Sequence, residues 1–301
     1  MRVFVTGASG FIGSAVVPEL LGAGHQVVGL ARSEASARAL EAVGAEVQRG
    51  SLEDLDSLRA GAARADGVIH LAFIHDFSRY QDSIRADTRA IEVLGGVLEG
   101  SQRPLVIAAG LLGLAPGRIA METDAASPSG RGVSEETMLA LATRGVRTSI
   151  VRLPPSVHGK GDHGFVPHLI ASARQKGVAV YVGEGANRWP AVHRLDAARL
   201  FRLALERAPA GARLHAIADE GVPTRDIANV IGRRLGVPVV SKAPAEASDF
   251  LGFLGAFFAL DAPASGALTR EQLGWRPVEP GLLADLDSDH YFAVDAGAQV
   301  S

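Results

Sequence analysis

The start of the chain combines a short apolar strand with three closely spaced glycines. Residues 1–5 are apolar and β-prone, and residues 6–13 read TGASGFIG, with glycines at Gly7, Gly10 and Gly13. Glycine is needed where a strand turns sharply into a helix, where a side chain would strike a pyrophosphate, and where helix packs on strand. The helix expected after the turn directs its free N–H groups at the anion. The sequence therefore predicts a dinucleotide site, and the alternative is a glycine-rich strand–helix turn with no ligand.

Apolar runs alternate with helical patterns through the first half of the chain. The predicted strands are 26–31, 45–48, 67–72, 104–109 and 147–153, and the predicted helices are 11–21, 33–43, 55–62, 80–99 and 133–143. Continuous apolar runs are typical of parallel strands that are buried on both faces. Right-handed crossovers join such strands into one sheet. The sequence predicts an α/β fold, a Rossmann-like doubly wound parallel sheet.

The rhythm changes after Pro154 and Pro155, where loops become rich in Gly, His and Pro. The elements predicted beyond this point are a strand at 178–182 and helices at 196–206 and 224–235. We predict a dinucleotide-binding domain over 1–155 and a smaller C-terminal substrate-binding lobe over 156–301, partly interleaved with the sheet.

Composition narrows the function classes. The chain has 301 residues, 47% of them hydrophobic and 21% charged, and a formal net charge of −3, which favours neither disorder nor nucleic-acid binding. It has no cysteine, which excludes disulfides and thiol nucleophiles. The early glycine turn leaves no room for a signal peptide, and no apolar run reaches the roughly 18 residues that a membrane span requires. We expect a cytoplasmic protein with no membrane partner.

The end of the second predicted strand indicates which dinucleotide is bound. An NAD site usually places an acidic residue there, on the ribose hydroxyls. This chain has Arg32 and Ser33 instead, and a guanidinium can pair with the 2′-phosphate of NADPH. NADPH is therefore predicted over NADH, and the alternative is that Arg32 is a solvated residue at a helix start.

Several motifs follow one another in the order expected of one family. They are TGASGFIG at 6–13, RGSLED at 49–54, VIHLA at 68–72, VRLPPSVHG at 151–159, AVHRLD at 191–196 and the ending SGALTREQLGWRP at 265–277. Together they resemble an extended or atypical short-chain dehydrogenase/reductase, related to the NAD(P)-dependent epimerase/dehydratase group. The resemblance covers nearly the whole chain and implies hydride chemistry with a nicotinamide cofactor.

The resemblance also implies which residues contact the cofactor. Ser51 and Leu52 would lie beside the adenine, with Ser51 where the family usually has Asp. Residues 70–72 would line the ribose and pyrophosphate side, and the loop that begins at Pro154 would pass over the nicotinamide. The full predicted set is Gly7, Ser9, Gly10, Phe11, Ile12, Gly13, Arg32, Ser33, Ser51, Leu52, His70, Leu71, Ala72 and Pro154.

The chain departs from the family at the catalytic positions. Members that reduce carbonyls use a Ser or Thr at the end of the fifth strand and a Tyr-x-x-x-Lys on the next helix. Here that strand ends in Ala108 and Ala109, and residues 127–136 contain neither Tyr nor Lys. The tyrosines of the chain are Tyr80, Tyr181 and Tyr291. The usual proton donor is therefore missing, whereas the hydride is supplied by the cofactor.

Candidates for a relocated proton donor lie in two segments. His158 is the first, because it is in the loop expected over the nicotinamide, where the family commonly has Tyr, and an imidazole titrates near neutral pH. The alternative is a structural hydrogen-bonding role. His75 and Tyr80 follow the fourth strand at the ligand-binding end of the sheet. Arg131 could replace the missing lysine charge, or it could be a solvated residue at a helix start.

Other features have simpler interpretations. The histidines and Asp162 within 158–168 have irregular spacing, so no metal is predicted. Glu135 and Glu136 are interpreted as favourable charges at a helix start. The phenylalanine-rich segment 250–260 is read as core packing, as a dimer face, or as an apolar lid over a bulky substrate.

The function favoured by the sequence is an NADPH-dependent reductase with a nonstandard active site, which transfers hydride to a hydrophobic ketone or imine. Ketone reduction needs a proton donor, whereas hydride quenches an iminium without one. One alternative is a catalytically silent NADP(H)-binding sensor or regulator. The other is a nucleotide-sugar epimerase or dehydratase, which needs the tyrosine base more acutely. The expected partners are a small hydrophobic substrate and a second copy in a homodimer.

Overall fold

The computed structural model describes residues 1–76, 79–127, 129–252 and 254–293. The strands are β1 (Arg2–Thr6), β2 (Gln26–Ala31), β3 (Glu46–Arg49), β4 (Gly67–His70), β5 (Pro104–Gly110), β6 (Arg147–Leu153), β7 (Ser156–His158), β8 (Ala179–Val182), β9 (Arg188–His193), β10 (Ala212–His215), β11 (Asp219–Pro223) and β12 (Val239–Lys242).

Helices alternate with these strands through the first half of the chain, and further helices follow in the second half. They are α1 (Gly13–Gly22), α2 (Glu34–Ala42), α3 (Leu55–Ala63), α4 (Tyr80–Leu98), α5 (Gly132–Thr143), α6 (Phe165–Lys176), α7 (Arg194–Arg207), α8 (Thr224–Leu235), α9 (Pro244–Leu251), α10 (Leu254–Phe258), α11 (Ala267–Leu273), α12 (Leu282–Leu286) and α13 (Asp289–Phe292). In the described part of the chain, none of them is long and apolar enough to cross a bilayer.

Seven of the described strands form one parallel sheet in the order β10-β6-β5-β4-β1-β2-β3. Apolar side chains of α1, α2 and α7 pack on one face of the sheet, and those of α3, α4 and α5 pack on the other. The predicted Rossmann-like doubly wound sheet is confirmed. The strand order reverses between β1 and β4, and ligands of such sheets bind at the carboxyl ends of the strands near this reversal.

The second half of the chain adds two small sheets, β11-β9-β7 and β12-β8. The sequence predicted β8 but missed the other strands of these sheets. Their shared core includes Trp189 and Phe258, whose ring centroids are 5.1 Å apart. β10 and α7 return to the main sheet. The domain boundary at 155/156 stays a prediction.

The phenylalanine-rich segment contributes to this second core. Leu251, Leu254 and Phe258 are buried in it, whereas Phe257 and Leu260 are exposed. Phe253 lies outside the described residues. Core packing therefore accounts for part of the segment.

Glu135 lies in the first turn of α5, as interpreted from the sequence, but its side chain is buried. Its carboxylate accepts hydrogen bonds from Nε and Nη2 of Arg152 at 2.9 and 2.7 Å. Arg152 lies on β6 and is 0% exposed, and Glu135 is 3% exposed. The pair joins α5 to the sheet inside the protein, while Glu136 faces solvent.

Candidate functional site

The glycine turn is closed by contacts that only glycine permits. Gly7 has a φ of +66°, and a Cβ built on it would lie 2.7 Å from the backbone nitrogen of Ala72. A Cβ on Gly13 would lie 2.1 Å from the carbonyl oxygen of Gly7. The turn is held by a hydrogen bond from the Gly10 amide to that same oxygen at 3.0 Å. Because these positions carry no side chain, the backbone N–H groups at the start of α1 are not covered by side chains of the turn.

This cradle fits a dinucleotide. No side chain caps the start of α1 at Ile12. The amides of Ser14 and Ala15 donate to the carbonyls of Gly10 and Ile12 at 2.8 and 3.0 Å, so the N–H groups left for an anion are those of residues 11–13. Ser9 and Gly10 are exposed, and Phe11 and Ile12 are partly exposed beside them. Residues 9–13 would hold the diphosphate of the cofactor at the carboxyl end of β1.

The residues predicted for the adenine end lie together after β2 and β3. Arg32 is exposed, and within the described residues it forms no ion pair. The Ser33 hydroxyl caps α2 by accepting a hydrogen bond from the Ser36 amide at 3.2 Å. Ser51 accepts one from the Glu53 amide at 3.3 Å, and Leu52 packs against the core of the sheet. Arg32 is thus an exposed cation directly after β2.

His70 does not line the cofactor side with its ring, which corrects that prediction. The residue is 2% exposed. Its Nδ1 lies 2.8 Å from the Thr6 hydroxyl, and its Nε2 lies 3.2 Å from Asp87. Ser134 donates to the other Asp87 oxygen at 2.6 Å, and Thr6 also accepts a hydrogen bond from the Ala72 amide. This series of buried hydrogen bonds connects β1, β4, α4 and α5 beneath the glycine turn. The sequence analysis did not identify Asp87 or Ser134.

The ionised form of the Asp87 carboxyl is favoured by its buried hydrogen-bond partners. Burial raises its pKa, but the hydrogen bond from His70, with the nearby charge of Arg131 and the Ser134 hydroxyl, more than offsets that effect. The net result is a pKa below the ordinary value for an aspartate. Asp87 therefore holds the residues after β4 in place as an acceptor.

His158 is placed where it cannot meet a substrate, which contradicts its prediction as the proton donor. The residue is 0% exposed, and its Nδ1 lies 2.8 Å from Asp285 Oδ2. Its ring packs edge-on against His193, with centroids 5.4 Å apart. Pro154, at the end of β6, is also buried. The side chain of His158 joins β7 to α12, which is the structural alternative.

The loop after His158 lies against the glycine turn. Tyr291 accepts a hydrogen bond from the Gly159 amide at 3.1 Å and donates one to Asp162 at 3.0 Å. The His163 ring stands edge-on to Phe11 at 5.6 Å between centroids. Burial raises the pKa of both Tyr291 and Asp162. The C-terminal helix α13 therefore anchors the loop that borders the cofactor site, which no sequence motif indicated.

Three of the four predicted catalytic residues lie together at the carboxyl ends of β4 and β5. The ring of Phe73 is 5.2 Å from that of His75 and 6.3 Å from that of Tyr80, between centroids. The Arg131 guanidinium lies 4.2 Å from the centroid of the same ring and donates to the Ala108 carbonyl at 2.7 Å. We call these four side chains, Phe73, His75, Tyr80 and Arg131, the Phe73 cluster. It lies beside the alanines that replace the family's Ser or Thr.

The Phe73 cluster is electropositive. Desolvation by the surrounding protein lowers the pKa of His75, and the charge of Arg131 lowers it further, with a smaller contribution from His163. The His75 ring is therefore mostly neutral near pH 7. Within the described ranges, no group of three or more His, Asp or Glu side chains is arranged to hold a metal ion.

Comparisons with known proteins agree with this fold. The model of the NAD dependent epimerase/dehydratase family matches residues 3–96. An uncharacterised protein of Schizosaccharomyces pombe is 52% identical over 295 residues, 97% of this chain and 100% of that protein. A 4-hydroxy-2-methyl-3-oxo-4-farnesyl-3,4-dihydroquinoline-1-oxide ketoreductase of Stigmatella aurantiaca is 30% identical over 224 residues, 70% of this chain and 66% of that protein. The UDP-glucose 4-epimerase structure from Thermotoga maritima has a TM-score of 0.76 at 20% identity and covers 97% of this chain and 98% of that one.

Proposed function

This chain belongs to the extended or atypical short-chain dehydrogenases/reductases of the NAD-dependent epimerase/dehydratase family, and on that premise we propose that it is an NADPH-dependent reductase of a hydrophobic ketone. The observation that carries the proposal is the Phe73 cluster, which brings an imidazole, a phenol and a guanidinium to the carboxyl end of the sheet. The Stigmatella relative is by its name a ketoreductase, which supports C=O over C=N reduction. The homodimer and the cytoplasmic location stay predictions.

When bound, NADPH would supply the hydride and its electron pair to the carbonyl carbon. The carbonyl oxygen takes one proton, so that the products are a secondary alcohol and the oxidised dinucleotide. We assign the proton to His75, with Tyr80 as the reserve donor. Arg131 provides a fixed positive charge beside the oxygen that becomes negative, as the missing lysine would. Phe73 offers an apolar surface to the substrate.

The proposal is tested by NADPH oxidation with a panel of hydrophobic ketones and cyclic imines. Because the protonated His75 ring donates and its pKa is lowered, kcat/KM for a ketone is expected to be highest in acid. It should fall by about tenfold per pH unit above that pKa. His75→Gln should remove this pH dependence, and Tyr80→Phe should keep it.

Three other results would redirect the proposal. A lost pH dependence in Tyr80→Phe alone would move the proton to Tyr80. If only imines are reduced, and kcat/KM does not rise at acid pH, the reaction would be C=N reduction. Tight NADPH binding with no turnover of any acceptor would favour the sensor.

Cofactor preference has its own test in Arg32→Gln. A charge-assisted contact to the 2′-phosphate contributes about 1.5–3 kcal/mol, so the variant should bind NADPH roughly 10- to 100-fold more weakly, with NADH affinity unchanged. Both dissociation constants can be measured by calorimetric titration. Arg59→Gln, an exposed arginine on α3 that pairs with Asp56, is the matched control and should change neither. An equal loss for both cofactors, or none, would make Arg32 a solvated surface residue.

A further inference from the structure

Arg131 is held rigidly, yet its charge has no counterpart in the protein. Its guanidinium is fixed by the Ala108 carbonyl on one side and by the face of Phe73 on the other. Its Nε is buried and has no hydrogen-bond partner among the described residues. Among the residues that the structure describes, no carboxylate forms an ion pair with it. The guanidinium is thus held in place while its charge has no ion-pair partner among the described residues.

The acid that interacts with Arg131 is engaged elsewhere. Asp87 has both oxygens taken by His70 and Ser134 inside the protein. The Arg131 charge disfavours protonation of His75, so that ring supplies no compensating charge. Arg131 therefore supplies the positive charge of the Phe73 cluster.

The cofactor's own diphosphate is not the counterpart. The glycine turn follows β1, whereas Arg131 is bonded to the end of β5, and β4 lies between these strands. Neighbouring strands are about 4.8 Å apart, so the two positions are separated by roughly 10 Å. A diphosphate held at the glycine turn would therefore lie too far from Arg131 to pair with it.

We propose that Arg131 binds a carboxylate of the substrate, so that the ketone reduced by this protein is an oxo acid with an apolar chain. The inference rests on the proposed reductase function for the carbonyl, and on the geometry of Arg131 for the carboxylate. A planar guanidinium presents parallel N–H donors that match the two oxygens of a carboxylate. The apolar ring beneath it accommodates the substrate's alkyl part, which explains why charge and hydrophobic surface occur together here.

The experiment separates anion binding from turnover. Octanoate and methyl octanoate are titrated calorimetrically into NADP⁺-loaded protein, and initial rates are measured with 3-oxooctanoate and methyl 3-oxooctanoate. Octanoate should bind at least tenfold more tightly than the ester, and the acid should have the higher kcat/KM by a similar factor. Arg131→Gln should remove both differences between acid and ester, because the carboxylate loses its partner. It should also lower kcat with both substrates, because the charge beside the carbonyl oxygen is lost, while the dissociation constant of methyl octanoate is unchanged. Arg131→Lys should restore part of each difference. The control is Arg79→Gln, since Arg79 is an exposed arginine paired with Asp82. This variant should keep the differences in affinity and in kcat/KM between acid and ester.

The outcomes distinguish the two proposals. If the ester is reduced as well as the acid, or if octanoate binds equally to the protein and to Arg131→Gln, the oxo-acid inference is wrong and the reductase stands. If octanoate binding depends on Arg131 but no ketone is reduced, the reductase proposal is wrong and the anion site stands. The thermal unfolding temperature of each variant is measured to show that a loss of binding or activity does not come from a loss of folding. If Arg131→Gln is unstable, Arg131→Lys is used in its place.

Discussion

Gly13→Ala is expected to weaken dinucleotide binding by more than about 100-fold and to lower the free energy of unfolding by about 1–3 kcal/mol. The added methyl would lie 2.1 Å from the carbonyl oxygen of Gly7 and 2.8 Å from backbone atoms of Ala8. Backbone atoms cannot rotate away as a side chain can, so the turn and the first turn of α1 must separate. The N–H groups that would face the diphosphate then move with them.

Gly22→Ala is the matched control, because it is the same substitution at the other end of α1. A Cβ there meets nothing within 4 Å, so the unfolding free energy should be unchanged or slightly higher and NADPH binding should be retained. Calorimetric titration with NADPH and chemical unfolding measure both quantities. Retained affinity in Gly13→Ala would show that the turn does not hold the cofactor.

The parts that could be predicted from the sequence are those encoded locally. The spacing of Gly7, Gly10 and Gly13 predicts a turn in which the backbone leaves no room for side chains. In the structure, a Cβ at any of these positions would lie closer to a neighbouring backbone atom than van der Waals contact allows. The central parallel strands β1, β2, β4, β5 and β6 are likewise visible as apolar runs, since most of their residues are buried. The edge strand β10 has no such run and was missed. The three-residue strand β7 and its partners carry no such periodicity and were missed.

Burial of histidines could not be predicted, because it depends on residues distant in the chain. His158 meets Asp285, 127 residues later, and Gly159 meets Tyr291, 132 residues later. A motif places a histidine on a loop but does not say which helix will cover it. His75 and Arg131 were brought together only through Phe73, a residue that the sequence reasoning did not select.

The second large effect concerns the buried ion pair between α5 and β6. Glu135→Leu is expected to lower the free energy of unfolding by about 3–5 kcal/mol, because it leaves the Arg152 charge buried without its carboxylate. Arg152 is 0% exposed. Its remaining partners are the Asp124 carbonyl at 2.8 Å and His215 Nε2 at 3.3 Å, neither of which is an anion. Urea unfolding of the variant and the parent protein gives the difference.

The double variant Glu135→Leu with Arg152→Met separates the charge from the packing. An apolar pair of similar volume removes both charges together, so the double variant should be more stable than Glu135→Leu alone. Recovery should be partial, because the Asp124 carbonyl and His215 lose their donor. Glu136→Leu, at an exposed position on the same helix, should change stability by no more than about 0.5 kcal/mol. Additive losses in the double variant would mean that α5 is held to the sheet by apolar contacts, and that the ion pair contributes little to the helix that carries Arg131 at its start.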